Sequence, residues 1–228
     1  MQSYIVGYIL FYLIITYLVG SIPAGYWLGK VLKGIDIRTV GSGSTGATNV
    51  YRNIGKIAGV SVFVLDFLKG YLPVAFAIAL ETGGAWRMMN GSAFPGNVLS
   101  EGDWIDANHL LPVLLAMTAL VGHSRSIFLG FKGGKSAATG LGTLFALDFR
   151  VGAFTFLTWM IVLYIGKMVS VASILATAMC IPLMIFFRPI PSYIIYCILG
   201  FIYVTARHKA NIGRILAGTE PKIGGVSK

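Results

Sequence analysis

Residues 41–56 read GSGSTGATNVYRNIGK and combine four glycines, four aliphatic hydroxyls, two asparagines and two cations in a chain that is 56% hydrophobic. Glycine lets a backbone approach a ligand closely, and successive N–H groups in such a loop form a concavity suited to an anion. Ser42, Ser44, Thr45 and Thr48 add hydroxyl donors, and Arg52 adds a planar fork that matches phosphate oxygens. The chemistry implied is phosphate binding. The segment lacks the GxxxxGK[ST] spacing of a P-loop and the strand context of a dinucleotide fold. A flexible Gly-Ser linker is the plainer alternative, although such linkers seldom run straight into Thr-Asn-Val-Tyr-Arg.

Three more polar segments carry reactive or charged groups. In FKGGKS, Lys132 and Lys135 precede an expected helix start with Ser136 as N-cap, and a helix N-terminus with glycines and lysines suits phosphate. In RHKANIGRILAGTE, Arg207, Asn211 and Arg214 recur at helical spacing, and His208 and Asn211 are i and i+3 on one face. Asn can orient a hydroxyl, and His can orient or transfer a proton. The alternatives are lysines that meet lipid headgroups and a solvated basic tail. Asp66 and Lys69, at i and i+3 inside an apolar run, read either as a buried structural pair or as a pair that supports the site. The histidines (His109, His123 and His208) are dispersed, and the inner segments offer only Asp36 and Glu220 as carboxylates, so no metal site is expected. Cys180 and Cys197 lie in apolar runs without CxxC spacing and read as packing residues. Ser42 and Ser173 have no evident Ser–His–Asp partners.

Only 11% of the 228 residues are charged, against about 25% in soluble domains. Apolar runs fall at about 4–29, 56–80, 109–130, 136–149, 151–167, 170–187 and 190–206. The expectation is an all-α, polytopic membrane bundle of about seven helices, preferred over a count of five or six, forming one domain over 1–228. The first run, lacking a basic flank and a clear cleavage site, reads as a retained helix rather than a signal peptide. A tight turn near Asp148 and Arg150 must separate the fourth and fifth runs, and the two prolines of FRPIPS the sixth and seventh. With seven crossings, fourteen of the eighteen cations fall on one side and only Arg87, Arg150 and Arg188 on the other. Excess Lys and Arg mark the cytoplasmic face, so the N-terminus is expected outside and the C-terminus inside. The 81–108 connection then lies outside, with Trp86 and Trp104 as interfacial anchors. All four polar segments, including the one containing Ser173, share the inner face, which allows one cytoplasmic site.

The stretches GSIPAGYWLGK, GSGSTGATNVYRNIGK, DFLKG, GHSRSIFLGFKGGKSAATGLG, SVASI and RHKANIGRILAGTE occur in this order from about residue 20 to 220. Together they resemble the bacterial integral-membrane glycerol-3-phosphate acyltransferases that use acyl phosphate as donor. The resemblance implies seven transmembrane helices, a bacterial plasma-membrane location and a site facing the cytoplasm. It implies acyl transfer from acyl phosphate to the 1-position of glycerol 3-phosphate, yielding lysophosphatidic acid and inorganic phosphate. No cofactor, metal or nucleic acid is implied, and a monomer in the bilayer is expected. By motif, Gly41, Ser42, Gly43, Thr48, Asn49 and Arg52 would shape the first phosphate contact, and Gly133, Gly134 and Lys135 a second. Ser173 would sit near the reacting groups, and His208 and Asn211 would orient the acceptor or hold the loops. Ser42, Arg52, Lys135, Ser173, His208 and Asn211 form the expected catalytic set. The donor's own phosphate would take the attacking proton, with no acyl-enzyme. Two departures from the family pattern are Ser44, where GSGN is usual, and Ser136, where GGKG is usual. A transporter for an organic phosphate and a lipid-binding structural protein are the competing classes; the first would need polar groups on both faces.

Overall fold

The computed structural model describes residues 2–81 and 109–223. The expected anchors Trp86 and Trp104 lie outside the described residues. Those residues form ten α-helices and no strand. Helix α1 spans Gln2–Ser21 and α2 spans Ala24–Lys33. The first apolar run is therefore interrupted, because Pro23 has no N–H to donate and its ring blocks a continuous helix. Helix α3 is the short Ala47–Asn53 and α4 the long Lys56–Glu81. The remaining helices are α5 (Leu110–Ser124), α6 (Ala137–Leu147), α7 (Phe149–Gly166), α8 (Val169–Phe187), α9 (Pro191–Arg207) and α10 (Lys209–Leu216).

Among the described residues, five segments are long and apolar enough to cross a membrane: Val6–Lys33, Lys56–Leu80, Leu110–Leu129, Phe149–Gly166 and Val169–Phe187. Helices α6 and α9 are apolar but shorter. Asp148 makes the tight turn between α6 and α7. Its carboxylate accepts from the backbone N–H of Arg150 and Val151 and pairs with Arg150 at 2.8 Å. Burial would raise its pKa, but these donors hold it below the ordinary value. Pro191 opens α9 at its first position, where a missing N–H costs nothing.

Helix α4 is the central strut. It packs most extensively on α6, while α7 pairs with α8 and α1 with α5. Close approach of α4 and α6 rests on two glycines. A Cβ on Gly70 would lie 2.1 Å from the Thr139 carbonyl oxygen, and one on Gly142 would lie 2.1 Å from that of Phe67. Small residues let helix backbones approach where lipid offers no hydrophobic driving force. The main core gathers Val74, Leu120, Leu144, Val151, Met184 and Tyr193. Leu, Ile, Val and Phe side chains exposed on α1, α4, α7 and α8 form the outer, lipid-compatible surface.

Candidate functional site

The four polar segments converge on one cavity of about 1430 Å³. Its polar end is lined by Gly41, Ser42, Thr48, Asn49, Arg52, Lys135, Ser170, His208, Asn211, Arg214 and Glu220, and its apolar arm by Val60, Phe63, Leu141, Leu144, Phe156 and Ala176. Ser173 and Trp159 lie on the lining as well, joined by the indole N–H donating to Ser173 Oγ at 3.2 Å. Of the residues expected at the site, Gly43, Gly133 and Gly134 are absent from the wall.

The first loop is held from within. Buried Asn49 donates from Nδ2 to the carbonyls of Ile37, Val40 and Ser44, at 2.9–3.1 Å, and its Oδ1 accepts from Ser42 N–H and from Asn53. Gly43 N–H goes to the Val40 carbonyl and Gly46 N–H to Ser44 Oγ. Internal acceptors thus take three of the backbone donors expected to face an anion, the N–H groups of Ser42, Gly43 and Gly46. Asn49 is the organiser of the loop. Gly41 sits at φ +57, where a Cβ would lie 2.4 Å from Asn49 Oδ1, so its requirement is steric. The loop is seated on α2 at Gly25, where a Cβ would meet the Thr45 carbonyl at 1.9 Å. What the loop presents to the cavity is the exposed Ser42 side chain, Thr48 and the exposed Arg52.

Lys135 is carried by a turn folded onto the end of α5. Gly134 N–H donates to the His123 carbonyl at 3.1 Å, and a Cβ on Gly133 or Gly134 would strike His123. These glycines serve close packing rather than the cavity wall. Ser136 occupies the N-cap position of α6 but does not cap it. Its φ is +64, and its buried hydroxyl donates instead to the Leu120 carbonyl at 2.7 Å. Lys135 Nζ donates to Asn211 Oδ1 at 2.6 Å. Burial is the main cause that brings its pKa down to about 8, with Arg214, Arg52 and Arg207 adding to the effect and Glu220 opposing it.

Glu220 joins the last segment to this network. It accepts from Asn211 Nδ2 and Ser170 Oγ at 2.7 Å each and pairs with Arg214 Nε at 2.8 Å. Burial would raise its pKa, yet those donors hold it below the ordinary value. Arg52 reaches the Pro221 carbonyl at 3.2 Å, and Ile223 N–H reaches that of Lys167 at 2.7 Å, and residues 218–223 line the cavity. Among the site residues, sequence reasoning missed Glu220, Ser170 and Trp159. Glu220 had a signal: it is the sole acid of its basic segment. His208, buried at the α9–α10 junction, directs Nδ1 to the Val204 carbonyl at 2.7 Å. Since a carbonyl only accepts, Nδ1 carries the proton. Burial brings the pKa of His208 down to about 4, leaving a neutral ring.

The site thus couples a cationic, hydroxyl-rich end to a hydrocarbon-compatible arm, which suits an amphiphile and a second anion. Among the described residues no group of three His, Cys, Asp or Glu side chains stands ready for a metal. Comparison with known proteins agrees with the resemblance. The family described as glycerol-3-phosphate acyltransferase matches residues 10–218. A glycerol-3-phosphate acyltransferase of Nostoc sp. is 48% identical over 214 residues, covering 92% of this chain and 90% of the relative. One from Trichormus variabilis is 47% identical over 212 residues, with 92% and 90% covered. The crystal structure of PlsY, an integral membrane glycerol 3-phosphate acyltransferase, in its glycerol 3-phosphate form aligns at TM-score 0.80 and 36% identity, covering 95% of this chain and 96% of that one. Its lysophosphatidic acid form aligns at 0.77 and 34%, covering 94% of each. Match length, identity and fold all point the same way, and the chain belongs to the glycerol-3-phosphate acyltransferase family of integral membrane proteins.

Proposed function

We propose that the protein transfers a fatty acyl group from acyl phosphate to the 1-hydroxyl of glycerol 3-phosphate, releasing lysophosphatidic acid and inorganic phosphate. The observation that carries this reading is the meeting of Arg52, Lys135, Asn211 and Arg214, from distant parts of the chain, at the polar end of a cavity whose other arm is apolar. The relatives' names, with one crystal form holding glycerol 3-phosphate and the other lysophosphatidic acid, support the same reading.

In the proposed mechanism, Arg52 and Lys135 hold phosphate groups as charge-assisted partners. The acyl chain lies along Val60, Phe63, Leu141 and Phe156. The acceptor hydroxyl attacks the acyl carbonyl carbon; the new ester C–O bond forms as the carbonyl–phosphate C–O bond breaks. The hydroxyl proton passes to the departing phosphate, so no protein base or acyl-enzyme is needed. Neutral His208 offers the Nε2 lone pair to orient the acceptor, and Asn211 aligns Lys135. Rate enhancement comes from alignment and from fixed positive charge where negative charge develops. The site faces the cytoplasm of a bacterial plasma membrane, in one seven-crossing domain over 1–228 that acts as a monomer, with the N-terminus outside and α6 and α9 as the two short crossings.

Purified protein given labelled glycerol 3-phosphate and acyl phosphate should form lysolipid and release phosphate stoichiometrically. Arg52→Ala and Lys135→Ala should each stay folded and lose kcat/KM by about 10²-fold, the range for removing a hydrogen bond to a charged group. Near-normal activity in both rejects the phosphate-holding roles. Substrate uptake into vesicles without conversion would identify a transporter instead.

A further inference from the structure

Asp66, Lys69 and His123 form a buried cluster that the transfer chemistry above does not use. Their exposures are 2%, 6% and 6%. Lys69 Nζ lies 2.7 Å from Asp66 Oδ1 and donates to the Ile22 carbonyl at 2.9 Å, where the α1–α2 break interrupts the helix. His123 Nδ1 lies 3.5 Å from Asp66 Oδ1 and has no closer polar partner. Burying charges costs desolvation, and replacing such a pair by apolar side chains of similar volume is often neutral for a fold. Stability alone therefore does not account for the cluster.

Asp66 and His123 both line the cavity, and His123 is the member that touches the turn carrying Lys135. Its ring packs under the turn that carries Lys135: a Cβ on Gly134 would lie 2.0 Å from Nε2. Its carbonyl receives Gly134 N–H, and Gly133 crosses the same carbonyl so closely that a Cβ there would sit 2.2 Å away. From the opposite side Arg207 donates to the Gly134 carbonyl at 3.3 Å. Immediately after, Ser136 is tied to Leu120. The chain of contacts runs from the α1–α2 break through Lys69 and Asp66 to the His123 ring, and from that ring to the backbone next to Lys135.

We propose that Asp66, Lys69 and His123 are positioning residues that set the height and direction of Lys135 toward the phosphate it binds. The proposal rests on the reading of Lys135 as a phosphate ligand. The ring is the seat of the turn, Asp66 fixes the ring, and Lys69 fixes Asp66 to the helix break. A loosened seat weakens ground-state binding of the phosphate group more than it alters the acyl-transfer step.

Steady-state kinetics on purified protein with glycerol 3-phosphate and acyl phosphate test this. Lys135→Arg first identifies the substrate whose KM depends on that cation. His123→Leu, which leaves Asp66 and Lys69 paired, should raise the same KM about tenfold with kcat within about threefold, the signature of lost uniform binding. His123→Asn, which keeps a polar amide facing Asp66 where leucine has none, should recover most of the loss. The double variant Asp66→Leu/Lys69→Met removes both charges together and should give the same KM rise in a folded protein, which covers the case of a His123→Leu chain that fails to fold. An unchanged KM in any folded His123→Leu or double variant overturns the proposal, as does a loss confined to kcat. Lys135→Ala run alongside separates the two readings. If it too is normal, the phosphate role of Lys135 is wrong; if it is impaired while His123→Leu is normal, only the positioning role falls.

Discussion

At the scale of single residues, the site works by placing charge where burial makes it both effective and vulnerable. Lys135 is held at a pKa of about 8 chiefly by burial. Below that pH the ammonium is charged and grips phosphate; as pH rises through about 8 it loses the proton. The pH profile of kcat/KM should therefore fall on the alkaline side from about pH 8, and Lys135→Arg should abolish that limb while lowering the plateau, since guanidinium stays charged. Above about 8 and below the ordinary 10.5, the unfolded chain holds a proton the folded site has released, so this group adds stability as pH rises. The activity loss should then be reversible, with no matching drop in thermal midpoint. Ser136 combines two opposing terms: a left-handed φ of +64, which favours glycine, and a hydroxyl bond to Leu120. Ser136→Ala keeps the strain and loses the bond, and should cost about 1 kcal/mol in thermal unfolding. Ser136→Gly exchanges one for the other and should be nearly neutral.

At the scale of elements, glycine placement decides how closely helices meet. Gly70 and Gly142 put α4 and α6 in backbone contact, whereas Gly200 in α9 has nothing within 4 Å of an added Cβ. Gly70→Ala and Gly142→Ala should each destabilise the bundle by about 1–3 kcal/mol or more, the cost of overpacking against backbone. Gly200→Ala should be neutral or stabilising by up to about 1 kcal/mol through helix entropy. Thermal melts in one detergent compare all three. The apolar runs and their ends were legible in sequence: expected runs at 56–80, 170–187 and 190–206 became helices 56–81, 169–187 and 191–207. The Asp148 turn and the proline start of α9 were legible too, because a short polar residue and a missing N–H act locally. The break at Pro23 sat inside an apolar run and was hidden by it.

At the scale of the whole molecule, a single cavity closes only because segments around residues 42, 135, 173, 211 and 220 meet on one face. In the proposed topology that face is cytoplasmic. With Cys180 and Cys197, both buried, left in place, cysteines introduced at exposed Thr39 and Arg188 test the orientation. In right-side-out vesicles an impermeant thiol reagent should label Arg188→Cys at once and Thr39→Cys only after permeabilisation. The reverse pattern would invert the bundle. Glu220 also belongs to this scale. Its carboxylate gathers Ser170 from α8, and Asn211 and Arg214 from α10, a junction no single segment contains.

Local pattern was enough to determine the helical, membrane-embedded class and the segments holding the site, because hydropathy, prolines and charge asymmetry act over a few residues at a time. Pattern also named Arg52, Lys135, His208 and Asn211, all of which line the cavity. Only the tertiary structure decided how the loop donors are spent. Asn49 absorbs backbone groups, Gly133 and Gly134 let the turn settle on His123, and that ring, beside Asp66, lies against the turn that carries Lys135. The reason is that a hydrogen-bond acceptor or a steric wall supplied by a distant helix leaves no trace in the spacing of the residues it constrains.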